Sequence, residues 1–369
     1  MPRVAPAPTP PAERDAAIDA LRGVALFGVL VENLQHFASP SYAELVASGA
    51  AGPADRLGLG AIRLFCDNKV YLLFGFLFGY GIALQWLREA RDERGFARLE
   101  LWRMACLFWI GLGNLQLWSG DILTTYAVLG CALLPLRRRS DALLAGLAAC
   151  LLAAPTLALA GIAAGAGALG GPRGEVEARV AAHLYPARQS CFSFAMLALG
   201  LAAGRRRLLS DAAWLARARR AVPLALGTGL AGNLAFAVLE AAAPRPLSGA
   251  TLAREATLAV AAPALAFAYA VLALGWARRG RRPGALGLLA AVGRTSLSNY
   301  VAQSAVGSGV VARLGPIHPP AGFLLTLAVF SAELWASSLW LRRFRFGPLE
   351  WIWRSLAYGR REPLRDQLR

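Results

Sequence analysis

The chain has 369 residues, of which 57% are apolar and 17% charged, with a mean hydropathy of +0.47 and a formal net charge of +17. That composition excludes an ordinary soluble enzyme, because apolar runs of about 18 residues or more recur along the chain, each long enough to cross a hydrocarbon core of ~30 Å. The charge does not mark a nucleic-acid binder either: the Arg residues lie in short segments between apolar runs and form no basic face on a soluble body.

The expected fold is all-α, a polytopic transmembrane helix bundle of about ten spanning helices. Residues 1–17 read as a disordered polar, Pro-rich tail, 18–341 as the bundle, and 342–369 as a cytoplasmic interfacial helix with a basic tail. Spans are expected at 18–38, 69–87, 103–119, 122–136, 142–169, 190–204, 221–243, 255–277, 285–312 and 321–341. The first run is full length, so it should remain as a helix and not be removed as a signal peptide.

A charge at mid-membrane costs roughly 2.5–3.5 kcal/mol on insertion scales, so polar residues inside the spans are the informative ones. In the first span, Asp19 and Arg22 are three apart and can pair on one face. Arg22 either snorkels to the interface or anchors an anionic group. Further along come Glu32, Asn33 and His36. Glu32 and His36 share a face at i, i+4, and a carboxylate beside an imidazole can raise its basicity for general-base work. The bland alternative is a polar helix end in the headgroup layer.

Gly75-x-x-x-Gly79-x-Gly81 in the second span reads as close helix packing. In Trp118-Ser119-Gly120-Asp121, Gly120 permits a tight reversal and Asp121 can cap the next helix. The ninth span is too long for one straight crossing, and Gly293 with the polar stretch after it predicts a break into a half-helix and a spanning helix. Arg294 needs a buried acceptor. Ser296, Asn299, Tyr300 and Gln303 follow helical spacing and form one polar stripe, which serves either as interhelical glue or as cavity lining. Gly347-Pro348-Leu349-Glu350-Trp351-Ile352-Trp353 starts an interfacial helix.

Placing Arg and Lys gives the orientation. Twenty-eight fall in the N-terminal tail, in alternate loops and in the C-terminal tail, and nine in the other loops. By the positive-inside rule both termini are cytoplasmic. His36, His183 and His318 then lie on the outer side. The Cys and His residues show no metal-ligand spacing, and most Cys sit in apolar runs as small hydrophobes.

The ordered motifs resemble one family. Asp19-Ala20-Leu21-Arg22-Gly23 with Asn33, Leu77-Phe78-Gly79-x-Gly81, Gly120-Asp121-Ile122-Leu123-x-x-Tyr126, Gly293-Arg294-x-Ser296-Leu297-x-Asn299-Tyr300-x-x-Gln303 and Gly347-Pro348-Leu349-Glu350-Trp351 are similar to the YeiB-like bacterial membrane proteins, a family of unknown function. The opening is also similar to those of acyltransferase-3 enzymes and of the heparan-glucosaminide acetyltransferase group. That resemblance implies transfer of an acyl group from cytoplasmic acyl-CoA to a small-molecule, glycan or lipid acceptor on the far side of a bacterial cytoplasmic membrane. The chain departs from both patterns: Asn33 stands where acyltransferase-3 enzymes have a catalytic His, and no His lies near Glu44.

On this reading Glu32, His36 and Asp121 are the catalytic candidates. Asp19, Arg22, Asn33, Arg294, Asn299, Tyr300 and Gln303 are candidates for binding acyl-CoA or acceptor. No resident cofactor, metal or nucleic acid is expected; the lipid bilayer is the constant partner. The rival readings are a transporter of a small polar or amphiphilic solute, and a scaffold or sensor without chemistry.

Overall fold

A computed structural model describes residues 15–38, 41–89, 93–165, 173–242, 246–280, 283–315 and 317–365. Most of the expected N-terminal tail lies outside the described residues, as do Arg91, Arg245, Arg281, Arg282 and Arg369 of the orientation argument.

The first helix, α1 (Ala16–Phe37), is capped by Asp15, whose carboxylate accepts the Ala17 N–H at 3.0 Å. It is followed by α2 (Tyr42–Ala47), α3 (Pro53–Phe65), α4 (Val70–Glu89), α5 (Glu93–Leu115) and α6 (Leu123–Leu133). Next come α7 (Asp141–Gly165), α8 (Arg173–Arg205), α9 (Ala212–Ala242) and α10 (Gly249–Ala277). The chain closes with α11 (Pro283–Arg294), α12 (Ser296–Gly309), α13 (Pro319–Arg343) and α14 (Pro348–Tyr358). The described residues form helices and short 3-10 turns, with no strand. The protein is an all-α helical bundle.

Each of the ten expected spans overlaps a helix, the ninth being divided into α11 and α12, while 166–169 and 243 lie outside the described residues. Five helical stretches are apolar and long enough to cross a membrane on those grounds alone: Pro53–Arg88, Asp141–Gly165, Ala212–Glu240, Gly249–Ala277 and Pro319–Arg343. The others fall short for physical reasons. α6, α11 and α12 have only 11, 12 and 14 residues, and α1, α5 and α8 carry several charged residues. Two boundaries differ from expectation. α8 begins at Arg173, well before the expected 190, and residues 39–68, where no span is expected, hold α2 and α3.

Glycines set the close contacts. Gly79 lies against the Leu197 carbonyl and Gly200 against that of Phe76, so a Cβ at either would collide with backbone of the partner helix. This is how α4 and α8 come together, as the Gly75–Gly81 pattern predicts. Gly23 faces the Leu289 carbonyl and Gly293 faces the Asp19 carbonyl. That pairing shows α1 and α11 running in opposite senses where they meet.

The chain breaks at Thr295 (φ −110°, ψ 28°), one residue after Arg294. The freed N-terminus of α12 is satisfied from α14. Glu350 accepts the Leu297 N–H at 2.7 Å, the Ser298 N–H at 3.2 Å and the Ser298 hydroxyl at 2.5 Å. Ser298 in turn accepts the Leu349 N–H at 3.0 Å. Two helices thus cap each other, and α14 is held further by Trp353 Nε1 donating to the Arg103 carbonyl at 2.8 Å.

Burial pushes the Glu350 carboxyl up from its ordinary value, against the Ser298 and Leu297 donors that favour the ionised form. A raised folded-state value means that this group's contribution to stability is present in acid and lost as pH rises through that value. Glu350→Ala should cost ~1–3 kcal/mol across the pH range by orphaning the α12 donors. Glu350→Gln should cost less and flatten the pH dependence. Thermal unfolding in detergent from pH 4 to pH 8 measures both.

Candidate functional site

The most concentrated set of buried charges gathers where α1, α4, α8 and α10 meet, around the turn joining α3 to α4. Asn68 in that turn adopts a left-handed conformation (φ 64°), which Asn tolerates better than most residues. This conformation accompanies two contacts in opposite directions. The Asn68 N–H donates to Glu32 Oε1 at 3.4 Å, and Asn68 Oδ1 accepts from Arg188 Nη2 at 3.2 Å. Arg188 Nη1 also reaches Glu255 Oε1 and Oε2 at 2.9 and 3.1 Å, and Arg254 Nη2 reaches Glu255 Oε1 at 3.0 Å. Arg188 lies over the Tyr185 ring at 5.2 Å. Lys69, the chain's single Lys, is 1% exposed and donates to the Arg63 carbonyl at 2.5 Å.

Asp67 and Lys69 both act electrostatically on Glu32. Three acids (Glu32, Asp67, Glu255) thus share the site with three bases (Lys69, Arg188, Arg254). Buried charge is tolerable because the two signs are matched and hydrogen-bonded. The Arg188 Nε and the Tyr71 hydroxyl are buried without a hydrogen-bond partner, so the site retains free donors. A carboxylate held beside unspent donors is suited to taking a proton from a hydroxyl or amine and binding the group that bears it.

The other predicted residues are distributed as follows. His36 sits on the exposed side of α1, its ring centroid 6.3 Å from that of Trp118, while the Glu32 carboxylate turns to Asn68. Asn33 is half-buried. Asp19 and Arg22 pair at 2.8 Å near the opposite end of α1, with the Arg22 side chain 30% exposed. Asp121 accepts from Asn114 Nδ2 at 2.8 Å, the Thr124 N–H at 2.8 Å and the Thr124 hydroxyl at 2.9 Å, so its oxygens close the turn before α6.

The polar stripe on α12 divides between two neighbours. Tyr300 accepts the Ile122 N–H at 3.1 Å. On the other side, Asn299 donates to Ser337 at 3.0 Å and Gln303 to Glu333 at 3.0 Å, both on α13. Arg294 Nη2 donates to the Arg345 carbonyl at 3.3 Å. The structure therefore brings Glu32 together with Asn68, Lys69, Arg188 and Glu255, and leaves Asp19 with Arg22, Asp121 and the α12 stripe in separate assemblies.

Sequence reasoning passed over Asn68, Arg188, Glu255 and Glu333. The available signals were the Asp67-Asn68 pair between two apolar runs, and acids at or inside the expected spans 255–277 and 321–341.

These features define an all-helical membrane protein with a charge-matched polar site buried within the bundle. Residues 203–360 match the family described as a protein of unknown function (DUF418). The chain is 28% identical to the uncharacterized protein YxaH of Bacillus subtilis (strain 168), over 97% of each chain. It is 27% identical to an uncharacterized 39.9 kDa protein in the amylase 3' region of Bacillus acidopullulyticus, over 95% of this chain and 96% of that one. It is 26% identical to the uncharacterized protein YeiB of Escherichia coli (strain K12), over 94% and 96%. The likeness to YeiB and YxaH runs along nearly the whole chain, in keeping with the resemblance that the ordered motifs carry. No solved structure matches it.

The Arg188–Glu255 pair offers a direct test of the site's electrostatics. Arg188→Ala or Glu255→Ala should each cost ~3–5 kcal/mol by stranding a buried charge. Arg188→Met combined with Glu255→Leu should recover most of that loss. Midpoints of thermal unfolding for the three variants decide it; equal losses in all three would mean that packing, and not charge matching, dominates.

Proposed function

We propose that the protein is a membrane acyltransferase of the bacterial cytoplasmic membrane, passing an acyl group from cytoplasmic acyl-CoA to a hydroxyl or amine acceptor at the outer face. The observation that carries this reading is the pair of polar assemblies on one helix. Arg22, partly exposed, stands near one end of α1 and buried Glu32 near the other. Ten residues of helix separate them by about 15 Å, a distance within reach of an extended thioester arm.

In this mechanism the phosphates of CoA rest against Arg22 and the neighbouring Arg loops. Glu32 takes the proton of the acceptor as its oxygen or nitrogen attacks the thioester carbonyl. The carbon–sulfur bond breaks, the new acyl bond forms, and the released CoA thiolate takes up a proton. Arg188 and Tyr71 supply donors to the acceptor. His36, exposed one turn further along α1, would be the second proton carrier. Asp121 has no part in this scheme, since both its oxygens are engaged within the protein.

The test is thermal stability of the purified protein with acetyl-CoA, longer acyl-CoAs and CoA, with ATP as control. A ligand at about 100-fold over its Kd should stabilise by ~2.7 kcal/mol. A shift specific to acyl-CoA, lost in Arg22→Ala and retained in Glu32→Gln, is the expected result. Glu32→Gln should abolish acyl transfer while leaving that shift intact. Absence of a shift with every acyl-CoA, in folded protein, would sink the proposal. The second reading, passage of a small polar or amphiphilic solute, would then rest on the break between α11 and α12.

A further inference from the structure

Glu333 lies near the middle of α13, 8% exposed, in a stretch apolar enough to span a membrane. Its one polar neighbour in the hydrogen-bond network is Gln303 of α12, 2% exposed, whose Nε2 donates to Glu333 Oε2 at 3.0 Å. The remaining oxygen of each group, Glu333 Oε1 and Gln303 Oε1, is buried without a partner. Two orphaned acceptors on one hydrogen-bonded pair of side chains, one of them a carboxylate, carry a large desolvation cost in a bilayer.

Among the described residues, the surroundings supply no compensating cation. α1, α3 and α11 pack against α13, and their charged groups are engaged elsewhere or exposed. On α1, Asp19 pairs with Arg22, Glu32 accepts from Asn68, and the His36 ring lies beside Trp118. On α3, Asp55 bonds His318, Arg63 pairs with Glu240, and Arg56 is exposed. On α11, Arg294 reaches the Arg345 carbonyl, and α12 offers only Tyr300, bonded to the Ile122 N–H.

We propose that Glu333 and Gln303 form a proton-binding site inside the bundle, in which Glu333 carries one proton and the two side chains close a cyclic acid–amide pair. A carboxylic acid has one donor where a carboxylate has none. The unpartnered oxygens belong to the same two planar groups that Nε2 and Oε2 already join. A proton taken from water onto Oε1 removes the charge and gives Gln303 Oε1 its donor, so one proton satisfies both orphans. The site is independent of Glu32 and of acyl transfer.

Infrared spectroscopy of the detergent-purified protein at neutral pH tests this. The expected result is a carboxylic-acid C=O band, absent in Glu333→Gln and displaced in Gln303→Leu, with Glu333→Gln melting at the wild-type temperature. Three results would overturn it. One is a Glu333→Gln spectrum that loses only carboxylate bands. Another is failure of this neutral isostere to fold, which would mean that the ionised form is required. The third is a melting shift of the wild type, but not of Glu333→Gln, with sodium over choline at constant ionic strength, which would assign a metal cation in place of the proton.

Discussion

The Arg188–Glu255 ion pair, together with Asn68, joins four elements of this molecule. It ties α8 to α10, and through Asn68 it ties both to the α3–α4 turn and to Glu32 on α1. A guanidinium can do this because its fork presents several donors in a fixed plane. Asn68 completes the junction because its backbone and side chain face different partners. Each group would be costly to bury alone, so the four elements are fixed together.

The same constraint governs the rest of the bundle at lower cost. Where a helix is interrupted, the freed donors find an acceptor on another element, as Leu297 and Ser298 find Glu350. Where the chain reverses after α5, Asp121 satisfies Asn114 and Thr124. Glycines at the α1–α11 and α4–α8 crossings bring backbones close enough for van der Waals packing to hold them. Large apolar side chains stand exposed on the outside of the bundle, with Trp109, Leu224 and Trp335 exposed at 71%, 74% and 68%.

Function follows from where this accounting leaves groups unspent. In the Asn68 junction the Arg188 Nε and the Tyr71 hydroxyl have no partner, and the Glu32 carboxylate accepts from the Asn68 N–H. Between α12 and α13 the unspent atoms are two oxygens with no donor. The two sites differ in chemistry: the first holds unpartnered donors among paired charges, the second two unpartnered oxygens. α1 links the first of them to Arg22 at the helix's other end.

The sequence alone determined the all-α class, the positions of the long helices, the break after Gly293 and the helix starting at Pro348. Each of these rests on local signals: apolar run length, a glycine beside a polar stretch, and a Pro at a helix start. It also singled out Glu32, Arg22 and the α12 stripe, because a charge or polar group inside an apolar run is conspicuous. Only the tertiary structure decided their partners. Glu32 and His36, matched by spacing, are separated because the helix turns Glu32 inward to Asn68 and leaves His36 exposed. Asn299 and Tyr300, adjacent in sequence, bond different helices. Glu255 lies 67 residues from Arg188, and Glu350 lies 53 from the Leu297 it caps. Pairings at that range leave no mark in local spacing, since charge complementarity acts through space and depends on which faces the packed helices bring together.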